Sequence, residues 1–388
     1  MQFLDGIKVV EFSHMVMGPS AGLILADLGA DVVKIEPIGG DKTRRLPGSG
    51  SGYFAMFNRN KHSICLDIKR PEGAAVTRDL LKRADVMIEN FRPGALDKLG
   101  LDYDSVRAIN PGIIYQSSKG FLSGPYGDRT ALDEVAQMMG GLAYMTGPEN
   151  RPLRAGASVI DITGGMFGVI GILAALQRRH HTGEGAHITS ALYETTAFLV
   201  GQHIAQLAVT GVPAKPMPSR ISAWAVYDVF DTADGQMFVG VVSDTQWQQF
   251  CEVFGLDEWW DNAQWRSNAD RVQHRDEIIP RLRALFSTLS SDALQERLVA
   301  AGLPFAPIMR PQDLVDDAHL SENGFHQLTL PGSDDTFRLP KLPIEIDGAR
   351  NELRHDLPDV GEDSDRILAD LGYAPDRIAD LRARGVVA

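Results

Sequence analysis

The chain has 388 residues, 44% of them hydrophobic and 23% charged, with a formal net charge of −13. That length makes one large or two modest domains, and the composition is that of a globular protein rather than a fibrous or low-complexity one. The acidic balance argues against general nucleic-acid binding. Cys65 and Cys251 stand far apart and match no metal or redox spacing, which fits a reducing cytoplasm. No segment reads as long and apolar enough to span a membrane, and the opening MQFLDGIKVVEF runs directly into a strand-like stretch rather than a signal peptide. The expectation is a cytoplasmic protein with neither a membrane nor a nucleic-acid partner.

Charge is unevenly spread. Residues 1–100 hold 14 Lys and Arg against 12 Asp and Glu, so the remainder carries −15. A locally basic region in an acidic protein suits a small polyanionic ligand, and scattered surface charge gives the same count.

Strands and helices alternate through the first part of the chain. Residues 7–12 read as a buried strand, 21–28 as a helix closed by Gly29, and 31–35 as the next strand. A helix at 76–83, a strand at 85–89, a helix at 103–109 and a strand at 113–117 follow. This alternation predicts βαβ units and a parallel sheet. A dinucleotide-binding enzyme is the obvious rival. However, the first strand–helix turn, SHMVMGPSAG, lacks G-x-G-x-x-G, and so does PGSGSG at 47–52. Only Glu36, placed after the second strand like a ribose-binding acid, speaks for that rival.

Next comes the stretch Arg154–Ala191, RAGASVIDITGGMFGVIGILAALQRRHHTGEGAHITSA. One acid, Asp161, stands at the mouth of an apolar run that continues to Leu176 and carries Gly164, Gly165, Gly168 and Gly171. The basic Gln-Arg-Arg and the Thr-Gly-Glu-Gly turn predict a buried helix with a defined end. An Asp in that position is a favoured N-cap. It is equally placed to be a reagent, since a helix N-terminus favours the ionised carboxylate and so keeps a nucleophile available. Gly164, Gly168 and Gly171 fall on one helix face, which another backbone or a thin ligand could approach closely. The local pattern leaves both readings open.

From about residue 205 the texture changes. Pro213, Pro216 and Pro218 crowd a linker spanning 206–222, and strands at 224–230 and 236–242 flank a turn at Ala233-Asp234-Gly235. Helices at 246–254, 275–287 and 291–301 complete a small α+β domain over 223–325. Residues 326–388 then return through Pro-rich connections to two short helices that complete the large domain of residues 1–205.

Few other motifs carry chemistry. Neither G-x-S-x-G nor a phosphate-binding G-x-x-x-x-G-K occurs. His180, His181 and His187 could ligate a metal, but basic residues at a helix end are common, and no metal is expected. Asn90-Phe91-Arg92-Pro93-Gly94 follows the strand ending at Glu89. In an open α/β sheet, ligands sit at the carboxyl ends of strands, so Phe91 and Arg92 could hold a purine and a phosphate, with Lys69, Arg70 and Lys98 adding charge.

Six blocks together carry a resemblance. They are LDGIKVVEFSH-VMGP with LADLGADVVKIE, YFAMFNRNKHSICLDIKRPEG, ADVMIENFRPGALDKLGL, SSKGF-SGPYGDR, the Asp161 block with RRHHTGEGAHI, and the terminal ILADLGY-PDRI-DLRARGVV. In this order they resemble the class III coenzyme A transferases (CaiB/BaiF type), the family that includes formyl-CoA transferase. The resemblance implies a Rossmann-like parallel-sheet large domain, a small α+β domain and an interlocked homodimer. It implies that Asp161 attacks an acyl-CoA donor to give an acyl–aspartyl anhydride and then an aspartyl-CoA thioester, before a small carboxylic acid acceptor takes the CoA. It implies CoA contacts at Val16, Leu66, Lys69, Asn90, Phe91, Arg92 and Lys98. No cofactor is permanently bound, and coenzyme A enters as substrate.

Two departures bear on specificity. Formyl-CoA transferase has a glutamine where this chain has Val16, a tyrosine where it has Leu132, and a glycine-rich loop not found after residue 205. These differences argue against formyl-CoA or oxalate as substrates. The related α-methylacyl-CoA racemases carry a histidine where Leu132 stands, and losing that base argues against two-base proton exchange. The alternatives are a racemase using another base and a non-catalytic CoA-binding protein.

Overall fold

Neighbouring valines of the first strand, β1 (Lys8–Phe12), enter different cores: Val9 packs on one side of a sheet and Val10 on the other. This computed structural model describes residues 2–220 and 222–388; Ile221, in the expected linker, lies outside the described residues. The chain divides into one unit of Met1–Pro218 with Ser321–Ala388 and a second of Ser219–Leu320.

The first unit is built on α1 (Met17–Asp27), β2 (Asp31–Glu36), α2 (Tyr53–Phe57), β3 (Lys61–Cys65), α3 (Pro71–Arg83), β4 (Val86–Glu89), α4 (Tyr103–Ile109) and β5 (Ile114–Lys119). It continues with α5 (Asp133–Met139), α6 (Leu142–Thr146), α7 (Val159–Thr182), β6 (Ala186–Ala191), α8 (Leu192–Leu199) and α9 (Gly201–Thr210). Six strands form one parallel sheet in the order β3-β2-β1-β4-β5-β6. The parallel α/β architecture read from the alternation of elements is therefore present.

The structure also departs from the expected elements. The linker predicted from residue 206 is helical through Thr210. Two strands, β3 and β6, have no counterpart in the alternation read above. The strand β3 (KHSIC) hides behind polar residues, because its Lys61 is buried by an ion pair rather than by apolar contact. The strand β6 sits at the sheet edge and buries only some of its residues, which weakens the apolar signal.

Each face of the sheet has its own helices. On one, Val9, Val32, Val86, Ile88 and Ile114 pack against Ala21 and Leu25 of α1 and Val169, Ile172 and Ala175 of α7. On the other, Val10, Phe12, Ile35, Ile64, Met87 and Tyr115 meet α3, α4 and the C-terminal helices. Those helices, numbered after the second unit, are α16 (Ser364–Leu371) and α17 (Pro375–Ala383). The last residues close this side: Val387 pairs with Leu66, and Asp67 N–H donates to the Val386 carbonyl.

The second unit pairs β7 (Val226–Asp231), β8 (Gln236–Val241) and β9 (Phe305–Pro307) in an antiparallel sheet. Around it lie α10 (Asp244–Phe254), α11 (Asp257–Asp261), α12 (Asn268–Gln273), α13 (Arg275–Phe286) and α14 (Ser291–Ala300). Its core centres on Trp247, Trp259, Trp265, Phe250 and Phe286. The chain leaves through α15 (Ala318–Asn323) to a hairpin of β10 (Phe325–Thr329) and β11 (Thr336–Pro340).

Helix α7 corrects one expectation. With 24 residues and a mean hydropathy of 2.0 over its best 18-residue window, it is long and apolar enough to cross a membrane by length and composition. In the fold it lies along α1 and the sheet, and its glycines explain how. A Cβ on Gly165 would stand 2.1 Å from Ser20 Oγ and 2.7 Å from the Met17 carbonyl oxygen. One on Gly168 would stand 2.9 Å from Gln116 Nε2, and one on Gly171 2.7 Å from Ile188 Cγ2. The bare face at Gly164, Gly168 and Gly171 is thus filled by the side chains of Met17, Gln116 and Ile188, while Gly165 beside it meets the backbone of α1.

Gly165→Ala should force α1 and α7 apart and cost about 1–3 kcal/mol, read as a lowered urea midpoint. Gly201→Ala, at a position with open space around it, should leave that midpoint unchanged or raise it.

Candidate active site

Strands β1 and β4 are neighbours, and the strand order reverses between them, so the crevice beyond their carboxyl ends is where an open α/β sheet receives ligands. Three connections meet at that edge: residues 13–16 after β1, Leu66 after β3 and residues 90–94 after β4. The start of α7 reaches the same edge. Its far end lies at the opposite one, where Arg179 donates to Asp85 before β4 and to the Gly112 carbonyl before β5. At the near end, Ile162 packs with Val16, and Val159 and Ile160 pack with Met17. The first turn of α7, including Asp161, thus abuts the start of α1.

Asp161 does not cap α7. The N-cap is Ser158, whose side chain makes no capping bond, and Asp161 sits three residues in. The cap comes from another element. Asp133 Oδ2, at the start of α5, accepts the backbone N–H groups of Ile160 at 2.9 Å and Asp161 at 3.1 Å. Those are the donors a helix N-cap side chain normally takes. Asp133 is itself buried and held by Gln137, whose amide oxygen accepts from Ala155 N–H. Arg154 bonds Glu134 and lies 3.6 Å from Asp133. Helix α5 therefore anchors both the approach to α7 and its first turn.

The Asp161 carboxyl is left free, and its setting corrects the expectation of an ordinary ionised carboxylate. Burial, with the charges of Asp133 and Glu134 added, pushes its pKa up to about 7, and Arg154 only partly opposes this. Burial and the adjacent carboxylates outweigh the favourable helix N-terminus. A carboxyl with a pKa displaced this far by burial and like charge has the character of an active-site group.

The other expected site residues fall into two classes. Lys69, Arg92 and Lys98 are exposed, and Phe91 is half-buried, lying against the core and 5.7 Å from the His14 ring. Val16 and Leu66 are 1% and 2% exposed, backbone included, and the Leu66 backbone is paired with Glu36 and Val387, so the expected CoA contacts there are not open at the surface. Asn90 is half-buried, with its side chain bonded to the backbone of His14. Glu36, the acid that favoured a dinucleotide, is taken up by Arg44, Ser63 and the Asp41 N–H. His187 stacks on Tyr103 from β6, apart from His180 and His181 at the end of α7. Among the described residues no group of three or more metal-ligating side chains gathers.

The model for CoA-transferase family III matches residues 4–364. The chain belongs to that family. Succinate–glutarate CoA-transferase from Agrobacterium fabrum is 34% identical over 387 residues, covering 95% of this chain and 95% of that protein. Formyl-CoA:oxalate CoA-transferase from Streptomyces avermitilis is 33% identical over 99% of both chains. A crystal structure of a CaiB/BaiF family protein from Brucella suis superposes with a TM-score of 0.84 at 33% identity, covering 95% of this chain and 99% of that one. Relatives named CoA-transferases along the whole length make this chain a family III CoA-transferase, an enzyme acting on CoA thioesters.

The resemblance singles out the family's acid, and the residues around that acid escape it. Asp133 stands out in the sequence only as the neighbour of Leu132, although an acid four residues before Gln137 at the start of an apolar helix is a usable signal. Glu11 in KVVEF and Lys34 in DVVKIE are signals too, being charges inside strands that otherwise read as fully buried. They form a cluster under the crevice. Lys61 Nζ lies 2.7 Å from Glu11, and Lys34 Nζ lies 3.3 Å from Glu11 and 3.2 Å from Asp41. Burial would strip Lys34 of its proton, yet Glu11, Asp41 and Glu36 hold its pKa above the usual value.

The raised carboxyl has a measurable consequence for stability. Asp161 binds its proton more tightly folded than unfolded, so it costs stability as pH rises from 3.8 towards 7 and beyond. Asp161→Asn should raise Tm at pH 8, and the difference from wild type should close by pH 4.

Proposed function

We propose that this enzyme moves CoA from an acyl-CoA thioester to a small carboxylic acid with Asp161 as its covalent nucleophile. The observation that carries this reading is the separation of roles at α7. Asp133 takes the capping donors, and Asp161 is left as an uncommitted carboxyl at the crevice edge with its pKa pushed up to about 7.

A carboxylate suits the task, because exchanging an acyl group between acids passes through a mixed anhydride. The ionised Asp161 oxygen attacks the donor's thioester carbonyl, and the C–S bond breaks to release CoA thiolate. The thiolate then attacks the aspartyl carbonyl of the anhydride, expelling the donor acid and leaving an aspartyl-CoA thioester. The acceptor carboxylate attacks this thioester, and the thiolate finally takes the acceptor's acyl group, returning Asp161 as a carboxylate. Both intermediates hydrolyse readily, so the half-buried setting of Asp161 serves the chemistry by limiting water.

The CoA nucleotide lies, in this reading, over the residues that follow β3 and β4. Phe91 offers an aromatic face, and the exposed Lys69, Arg92 and Lys98 offer cations for phosphates. Val16 and Leu66 are buried beneath this surface and support it from below. Asn90 belongs to the same loop. The relatives' names carry the acids succinate, glutarate and oxalate, and a small mono- or dicarboxylic acid is the acceptor class we assign. A racemase finds Leu132, 60% exposed, where it needs a base.

We further propose a homodimer, interlocked as the resemblance implies. Helix α9 has no buried residue, and Phe198, Ile204, Val209 and Val212 are each more than 60% exposed. An apolar surface of that kind calls for a protein partner. Light scattering at micromolar concentration should return twice the chain mass; a monomer would refute this point.

Incubation with reactive acyl-CoA esters, trapping with hydroxylamine and mass spectrometry should find modification at Asp161. Trapping should strengthen as pH rises from 6 to 8. Asp161→Asn should abolish transfer and keep CoA binding, and retained turnover would overturn the reading. Asp133→Asn removes one of the charges that raise the Asp161 pKa, so the trapping midpoint should move to lower pH.

A further inference from the structure

The residues between β1 and α1 are held by side chains from three other segments, the strand β2, the loop after β4 and the turn at residues 42–45. Lys34 Nζ, fully buried, donates to the Ser13 carbonyl at 2.6 Å. The Asn90 amide makes a two-point contact with His14: its Oδ1 accepts the His14 N–H at 3.1 Å, and its Nδ2 donates to the His14 carbonyl at 2.7 Å. Thr43 Oγ1 accepts the Met15 N–H at 3.1 Å. Between these clamps Met15 has a φ of +65°, in the left-handed region that a residue with a side chain seldom adopts. Backbone strain of this kind persists only where surrounding contacts over-determine it.

The strained turn delivers the chain into the site. Val16 is the N-cap of α1, and the first turn of α1 touches the first turns of α7 at Met17 and Gly165, beside Asp161. The conformation of residues 13–16 therefore sets where the start of α1 stands relative to the Asp161 carboxyl. Substituting Gly18 would be resisted as well, since a Cβ there would stand 2.4 Å from Ser13 Cβ and 3.3 Å from Asn90 Cγ. The crevice is packed to fit this one backbone path.

We propose that Asn90 is a positioning residue of the transfer reaction, acting through His14 and the left-handed turn at Met15 to place the start of α1 against Asp161, rather than a ligand of CoA. Thr43 acts on the same turn from the other side. A planar amide with one donor and one acceptor directed at one residue's backbone is spent on that residue. Its removal frees the turn to relax, which shifts the reacting groups and leaves the cationic and aromatic contacts to the nucleotide in place. This inference rests on the transferase reading of Asp161.

The experiment compares wild type, Asn90→Ala and Thr43→Val in the full chain. Each variant should lower kcat by roughly tenfold to a hundredfold, the scale of a misplacement near 1 Å. The Kd for CoA by calorimetry should stay that of wild type. Hydrogen exchange by mass spectrometry over peptides covering residues 13–17 should accelerate in both variants. A weakened CoA Kd with kcat retained in Asn90→Ala, or unchanged exchange over residues 13–17, would overturn the proposal. Thr43→Val separates the roles, because it releases Met15 without touching the loop after β4. If the wild type gives no Asp161 adduct and no transfer, the transferase reading fails, and the exchange measurement still decides whether Asn90 holds the turn.

Discussion

The carboxylate of Asp133 accepts two backbone N–H groups from the first turn of α7, and the arrangement of the site follows from that pair of bonds. A helix N-terminus leaves donors unpaired, and burying them without partners costs free energy. Ser158, in the N-cap position, makes no such bond. Had Asp161 supplied it, the carboxylate would be committed to the backbone with its pKa lowered by the donors. Supplying it from α5 leaves Asp161 free, and it sets a second negative charge beside it that raises its affinity for a proton. One interaction therefore closes a helix and shifts the proton affinity of a neighbouring carboxyl.

A second constraint is how closely α1 and α7 approach. Their contact at Gly165 leaves no room for a side chain, and the same contact brings the β1–α1 turn to Asp161. Beneath that turn lies the cluster of Glu11, Lys34, Lys61 and Asp41. Buried ion pairs of this sort add little to net stability, because desolvation consumes most of the attraction, but removing one partner strands the other. Their effect here is geometric: Lys34 reaches the Ser13 carbonyl, and Lys61 reaches the Pro19 carbonyl, so the β1–α1 connection and the first turn of α1 are both tied to the sheet.

The chain shows different degrees of legibility. The strands Lys8–Phe12 and Asp31–Glu36, with the helix between them, are visible in the sequence because apolar periodicity states burial directly. The strand Lys61–Cys65 is not, since a lysine neutralised by Glu11 reads as surface in one dimension. The helix holding Asp161 is visible as an apolar run, and its glycines are visible too. That they serve packing against Ser20, Gln116 and Ile188 depends on which backbone lies opposite, and that is a property of the fold. The exposed cations Lys69, Arg92 and Lys98 can be found by their charge and position. The burial of Val16 and Leu66 cannot.

By itself the sequence determined the parallel α/β class and, through six ordered blocks, membership of CoA-transferase family III. Each depends on patterns local in the chain, where spacing along the backbone is the physical variable. The tertiary structure decided the rest: which acid caps and which is left free, why the Asp161 carboxyl holds its proton near neutrality, and how Asn90, Lys34 and Thr43 converge on one strained turn. Asp133 and Asp161, like Thr43 and Met15, are 28 residues apart in the chain and are brought within 3.1 Å by folding. Electrostatic and hydrogen-bond energies depend on distance through space, and only the packed sheet and its helices set that distance.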